Sequence, residues 1–396
     1  MVDALLALGR ERPIPVVLDE FPYLARVSPA LPSILQAAYA PLRPERTDSR
    51  TRLLLCGSAM SFMGSLLAGN APLRGRAGLE LMVHPLDHQL AAEFWGITDP
   101  RLAVKVNAIV GGTPAYRREF ARNDVPAGPD DFDAWVTRTV LNPESPLFRE
   151  ARYLLAEEPD LRDPALYHSV LAAVAEGNST RGGIANYLAR RSTDLAHPLT
   201  VLEDAGLLRR EPDLFRANRS SYRITEPLIT FYQAVMRPVW AQLERPGSAA
   251  RVWRAAQRRF HTQVLGPRFE HICREWCLSS ADETTLGGLP AHVGHGVVTD
   301  QKTRATYEVD VAVVGLADDG RPPLLAIGEV KWGEVMGVGH LTRLQRIRTL
   351  IGAQGRYDTS ATRLLCFSAA GFTDELREAA QAGAVTLIDV AQLYQS

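Results

Sequence analysis

Asp310, Glu329 and Lys331 are the residues of this chain whose types and spacing are best suited to chemistry. They lie in two apolar runs, YEVDVAVV at 307–314 and AIGEVKW at 326–332. Alternate side chains of an extended strand share a face, so Glu329 and Lys331 project together while Val330 turns away. The turn-rich LADDGRPP stretch at 316–323 predicts a hairpin connection, which brings Asp310 beside Glu329. Two carboxylates and an ammonium then converge. Carboxylate oxygens suit a hard cation, Mg²⁺ or Mn²⁺, held by one or two carboxylates plus waters and substrate phosphates. Such a cation readies a water for attack on a phosphodiester, and Lys331 is suited to orient that water or to neutralise charge developing on phosphorus. Of 44 basic residues only Lys105, Lys302 and Lys331 are lysines, so a Lys here departs from the chain's habit of using Arg. The competing reading is an ordinary surface-strand ion pair, worth little energetically. The apolar setting of both runs, with Asp310 on the preceding one, weighs against it.

These residues resemble the PD-(D/E)XK nuclease superfamily, whose core runs helix, three-stranded meander, helix, strand. The resemblance covers roughly the last third of the chain. It implies that Asp310 is the metal-binding Asp and that Glu329 and Lys331 are the E-x-K pair. It further implies that RFEHICREW at 268–276 is the first helix, with Glu270 as its acidic residue completing the metal shell. Gln345 matches the glutamine that some members carry in the helix after the meander, and RLLCFS at 363–368 supplies the next strand.

At the other end, IPVVLDEFPYL at 14–24 is an apolar strand ending in two acids, the form of a Walker B motif. In a working P-loop ATPase the first acid, here Asp19, holds Mg²⁺ through water, and the second, here Glu20, polarises the attacking water. RLLLCGSAM at 52–60 reads as the next buried strand, with Ser58 at its end as a phosphate-sensing residue. PLRGR at 72–76 offers Arg76 to a phosphate, in cis or across the subunits of a homo-oligomer, and AIVGGTPAY follows at 108–116. These four motifs in this order resemble the archaeal-type AAA/STAND ATPases, a family that commonly carries a C-terminal nuclease-like domain of unknown function.

One part of that family's equipment is not in this sequence. A phosphate-cradling loop needs Gly-x-x-x-x-Gly-Lys-[Ser/Thr], and none of the three lysines follows a glycine. About 15 residues precede the acidic strand, too few for the usual first strand, loop and helix. The expectation is weak or no ATP binding, from a start placed too far downstream or from a decayed ATPase half, with an exposed sheet edge and a short core. The alternative for Asp19 is a simple capping role at the following segment.

Between the two ends, residues 163–227 have the order of a winged helix-turn-helix: an amphipathic helix at 165–176, a second at 179–190, a third at 195–205, and strands around LLRRE and YRIT that form the wing. In a DNA reader the third helix enters the major groove and wing arginines meet phosphates. The candidates are His197, Thr200, Arg209, Arg210, Arg219 and Arg223. Glu203 and Asp204 make the third helix acidic near its end, and a packing module between an ATPase and an effector is the equal alternative.

Composition sets the outer bounds. A length of 396 residues with 46% hydrophobic content implies two or three packed domains. No apolar run reaches the roughly 18–20 residues of a membrane span, and Glu11, Arg12 and Pro13 interrupt any signal-peptide pattern, so the expectation is a soluble cytoplasmic protein without a membrane partner. A net charge of −1 gives no global attraction to nucleic acid, although residues 237–276 hold eight arginines against three glutamates. Cys273 and Cys277 lie four apart on a helix and read as a buried apolar pair rather than a metal knuckle. His292 and His295 stand close together without a third ligand, in what reads as the strand and loop before Asp310, and AAEFW at 91–95 reads as core helix. The Pro- and Gly-rich segments at 123–133 and 245–249 read as linkers.

The expected class is α/β, in five parts: the C-terminal part of an ATPase-like sheet at 1–125, a helical linker at 126–162, a winged helix-turn-helix at 163–228, a basic helical linker at 229–262, and a restriction-endonuclease-like α/β domain at 263–396. The expected function is metal-dependent DNA cleavage. The alternatives are an ATP-driven switch, should a phosphate loop precede these residues, and a DNA-binding regulator with an inert nuclease fold.

Overall fold

In the computed structural model the described residues are 2–395 apart from 41–42, 59, 158–162 and 318–319. The chain is a mixed α/β protein of two compact units. The first comprises Met1–His84, Tyr153–Tyr167 and His197–Leu207; the second comprises Pro85–Arg152, His168–Ala196 and Leu208–Ser396. The division falls inside the 1–125 segment, and it assigns the helix Ala196–Asp204 from His197 onward to the first unit while the helix Arg181–Tyr187 belongs to the second.

In the first unit, strands β1 (Ile14–Leu18) and β2 (Thr51–Leu55) pair in parallel. Their inner face, including Leu18, Leu53 and Leu55, packs on a core of Leu6, Phe21, Leu31 and Leu35. The outer face is open: Val17 is 55% exposed and its cross-strand partner Leu54 is 45% exposed. Parallel strands are normally covered on both faces. The expectation of a buried strand at 52–60 is therefore corrected to a short strand covered on one face, whose alternating residues meet solvent.

The second unit joins a helical layer to a five-stranded sheet. Aromatic side chains knit the helices, with Phe132, Phe231, Trp253 and Phe260 in mutual edge and tilted contacts near 5–6 Å. Gly112 of the GGTP motif serves this layer. A Cβ there would stand 1.8 Å from the Leu86 carbonyl oxygen, while the Leu86 N–H donates to the Gly112 carbonyl at 3.0 Å, so the two backbones approach as only glycine permits. The segment 123–133, expected as a linker, is instead clamped: Arg138 pairs with both Asp124 and Asp131 at 2.8 Å, and Trp135 donates its indole N–H to the Asp124 carbonyl.

Strands β3 (Leu208–Pro212) and β4 (Ser220–Ile224) form an antiparallel hairpin at the expected wing. The sheet is built of β5 (Pro290–Thr299), β6 (Thr306–Gly315), β7 (Leu324–Lys331), β8 (Arg363–Ser368) and β9 (Thr386–Asp389), in that spatial order. The first three are an antiparallel meander, and β8 and β9 join in parallel. The helix Gly266–Ser279 covers one face, where Trp276 meets Phe367 and Phe269 meets Trp332 edge-on. The helix Val338–Gln354 covers the other, its Leu341, Leu344, Ile347 and Ile351 clustering with Ile327, Leu364 and Cys366.

The tip of the hairpin is part of this core. Leu214 and Phe215 belong to the cluster around Ile327, and Tyr357 donates its hydroxyl to the Leu214 carbonyl at 2.8 Å. Asp213 is the anchor: its Oδ1 accepts from the N–H groups of Phe215, Arg216 and, across on β5, Val297. Gly296 makes the approach fit, because a Cβ there would stand 2.5 Å from Asp213 Oδ1 and 2.7 Å from the Phe215 ring.

Two outcomes follow. Gly296→Ala should destabilise the second unit by about 1–3 kcal/mol through overpacking, read as a lower urea midpoint. Glu226, which accepts from the Leu228 N–H at the start of the helix Pro227–Phe231, has its carboxyl raised to about 7 by burial. A raised acid adds stability that is complete below its unfolded value of 4.5 and is lost as the pH climbs through 7. Glu226→Gln should therefore raise the melting temperature at pH 8 and leave it unchanged near pH 4.5.

Candidate functional site

The site forms where β6 and β7 part. On β5, His295 alone stands between Gly294, paired with Ala312, and Gly296, paired with Val309. Over the same interval β6 has two residues, Asp310 and Val311, so β6 carries a bulge. Val309 and Ala312 both join the core cluster, an interval of three that simple alternation does not allow, and the bulge absorbs the extra residue. The ladder to β7 ends at the pair Val311 and Gly328. Past it, Asp310 spans the gap with its side chain: Oδ2 accepts the Val330 N–H at 2.8 Å, leaving Oδ1 for another partner. The hairpin thus brings Asp310 against the Glu329-Val330-Lys331 segment.

Glu329 is 4% exposed. Its Oε1 accepts from Lys331 Nζ at 3.1 Å and from an Arg343 guanidinium N–H at 2.6 Å. Its Oε2 is buried and, among the described residues, has no hydrogen-bond partner. Burial lowers the Lys331 pKa, but the charges of Asp310 and Glu329 outweigh it and the net shift is upward. Burial, reinforced by the Glu329 charge, raises Asp310 against the pull of the Val330 N–H and Lys331. Glu270 lies on the helix Gly266–Ser279, 3.9 Å from Arg274, which also donates to the Asp310 carbonyl. Burial and then the charge of Asp310 push its carboxyl up to about 7.

The donor set suits a hard cation with few protein ligands. Among the described residues Asp310 Oδ1 and Glu329 Oε2 have no cationic partner, and Glu329 Oε2 is an orphan that a cation would satisfy. Among the described residues, however, no three His, Cys, Asp or Glu side chains converge as a metal shell. Glu270 therefore does not join the other two in one ligand set. Gln345 is exposed, and the inward place on its helix belongs to Arg343. Arg343 flanks the apolar stripe of that helix beside Leu344 and Ile347, which is the signal by which the sequence marks it.

A cavity of about 460 Å³ opens beside Asp310 and Glu270 within the second unit. Glu270, Glu308 and Asp310 line one part of it, and Glu211, Arg219 and Arg223 of the hairpin line another. The arginines of the hairpin are consequently not equivalent. Arg223 is committed to Glu211 at 2.8 Å, and Arg210 donates to the Ser220 hydroxyl, while Arg209 and Arg219 are exposed. His197 and Thr200 are exposed on the helix Ala196–Asp204. His295 bridges Glu211 and the Ser221 hydroxyl, and His292 is exposed, so the two histidines form no metal pair. Cys273 and Cys277 are both buried, with thiol pKa values raised by burial.

In the first unit Asp19 and Glu20 follow β1, and both are exposed. Asp19 Oδ1 accepts the Glu20 N–H at 3.0 Å, and Glu20 itself has φ of 48°, a left-handed backbone that is costly for a residue with a Cβ. Ser58 is exposed past the end of neighbouring β2, and Arg76 is exposed in the segment beyond it.

No family model matches the sequence. The chain is similar to an uncharacterized protein of Methanocaldococcus jannaschii, 26% identical over 267 residues that make up 66% of this chain and 57% of that protein. It thus spans a little over half the length of that relative. A solved structure of a Vibrio cholerae protein aligns over 99% of this chain and 92% of its own at 10% identity, with a TM-score of 0.23, too low to carry a fold assignment. No described helix is long and apolar enough to cross a membrane.

Arg343→Ala should leave the buried Glu329 carboxylate to Lys331 alone. A lost hydrogen bond between charged groups costs about 1.5–3 kcal/mol, and the expected outcome is a fall of that size in unfolding free energy at pH 7.

Proposed function

We propose that the second unit cleaves DNA in a reaction dependent on Mg²⁺ or Mn²⁺, as a PD-(D/E)XK-like nuclease. The observation that carries this reading is the bulge in β6, which turns Asp310 onto the β7 segment that bears Glu329 and Lys331. Bulges are over-represented beside active sites because they re-aim a side chain where regular pairing cannot. Asp310 and Glu329 would hold the cation, which when bound would supply Lewis acidity at a phosphate oxygen and a more acidic water. Lys331, kept protonated by the two carboxylates, neutralises charge developing on phosphorus and helps orient the attacking water. Glu270 and Arg274 line the cavity that Asp310 also lines, and Arg274 holds the backbone of Asp310 through its carbonyl.

A second reading is favoured by one observation: Glu329 Oε1 already receives two cationic donors, Lys331 and Arg343. A carboxylate so neutralised needs no metal, which is how an inert nuclease fold in a DNA-binding regulator would keep it folded. Contacts to phosphates in that reading fall to the exposed Arg209, Arg210 and Arg219, with Arg223 held back by Glu211.

The test is incubation of the purified chain with plasmid and linear DNA in Mg²⁺, Mn²⁺ or EDTA, beside Lys331→Ala and Asp310→Asn. Cleavage that needs metal and drops about 10²-fold or more in both variants is expected, the size seen when a positioned catalytic group is removed. Intact DNA under every condition, with DNA binding retained by both variants, would select the inert reading.

A further inference from the structure

The cavity beside Asp310 has a use that the nuclease reading alone does not specify. Its volume of about 460 Å³ lies in the range of roughly 300–1,000 Å³ that suits small molecules. A paired duplex, with two backbones and stacked base pairs, does not enter such a space; one nucleotide does. The walls are held in place. The hairpin side is fastened to β5 by the Leu214 N–H to the His295 carbonyl at 3.1 Å and by Asp213 to Val297.

A second feature lies in the same wall. Residues Phe260–Leu265 form a π-helical turn between the helices Ala249–Arg259 and Gly266–Ser279. Turns of this kind cost hydrogen-bond geometry and recur at functional sites. Gln263 on this turn lines the cavity, and its Oε1 is buried without a hydrogen-bond partner among the described residues. An amide that keeps both acceptor and donor capacity can read the edge of an unstacked base.

We infer that the cavity is a pocket for one unpaired nucleotide, with Gln263 reading its base edge while the adjoining phosphate lies toward Asp310. This rests on the nuclease reading of Asp310, and it narrows the substrate to single-stranded DNA or to duplexes with a single-stranded end. The base edge meets Gln263 and the hairpin wall, and Arg219 and Arg274 offset part of the repulsion between phosphate and the carboxylates lining the cavity. Chemistry then falls next to the unpaired nucleotide rather than in the middle of a duplex.

The experiment uses the full chain and end-labelled oligonucleotides of one sequence in four forms: single strand, blunt duplex, and duplex with a 3′ or a 5′ single-stranded tail. Initial rates in Mg²⁺ are paired with fluorescence anisotropy in Ca²⁺ for the wild type and Gln263→Ala. Single-stranded or tailed forms are expected to react at least ~10-fold faster than the blunt duplex, the ratio that about one base's unpairing energy would set. Gln263→Ala is expected to weaken single-strand binding about 3- to 10-fold, the value of one hydrogen bond, to raise KM with kcat kept, and to flatten the dependence on the identity of the terminal base. A merely structural role for Gln263 would not move that base dependence. Blunt duplex cleaved as fast as the single strand would overturn the inference and leave the nuclease reading standing. Base-dependent single-strand binding that needs Gln263, without cleavage in Mg²⁺ or Mn²⁺, would do the reverse. Binding and cleavage indifferent to strandedness and to Gln263 would overturn the pocket.

Discussion

A carboxylate inside a sheet must be answered by cations, and Glu329 sets that demand in this protein. It lies in the third strand of five, 4% exposed, between a helix on one face and a helix on the other. An ionised group so placed without partners would cost several kcal/mol. Lys331 answers from two residues along the same strand, and Arg343 answers from the covering helix. The parting of β6 and β7 belongs to the same arrangement, because a ladder continued past Val311 would have closed the gap in which these groups sit. Asp310 takes the Val330 N–H that the ladder leaves, so the backbone stays satisfied while the strands separate.

The hairpin illustrates how tertiary contact redefines a motif. As an isolated wing it would present Arg209, Arg210, Arg219 and Arg223 to a phosphate backbone. Here Asp213 takes three N–H groups on one oxygen, Leu214 and Phe215 enter the apolar cluster of the sheet, and Arg223 turns to Glu211. The hairpin is therefore a wall of a cavity as well as a basic surface. The first unit shows the opposite situation, a two-stranded parallel sheet with Val17 and Leu54 facing solvent on one side. Its acidic turn at Asp19 and Glu20 is exposed, and the left-handed Glu20 backbone marks a tight exit from β1 rather than a closed site.

The sequence by itself determined the two strands that carry Asp310, Glu329 and Lys331 and the turn between them, since these depend on local periodicity and turn chemistry, while the helices on either side were expected from the family resemblance. The same local signals marked the acidic turn after β1, the hairpin at 208–224 and the buried Cys273 and Cys277 pair. What local signals did not carry lies in register and long-range contact. The bulge at Asp310 depends on how Gly294 and Gly296 of β5 meet β6, and no pattern within β6 alone announces it. Arg343 displaced Gln345 from the inward position because helix phase is set by the packing of Leu341, Leu344 and Ile347 against the sheet. Gly112, in the GGTP motif, and Gly296, in what read as the strand and loop before Asp310, proved to be points of close approach to Leu86 and Asp213, partners 26 and 83 residues away by numbering. Segment 123–133 became a clamped turn once Arg138 reached both of its aspartates. Alternation and turns are written residue by residue; which strand slips, which helix face turns inward and which loop is pinned are settled only when distant surfaces compete for the same space.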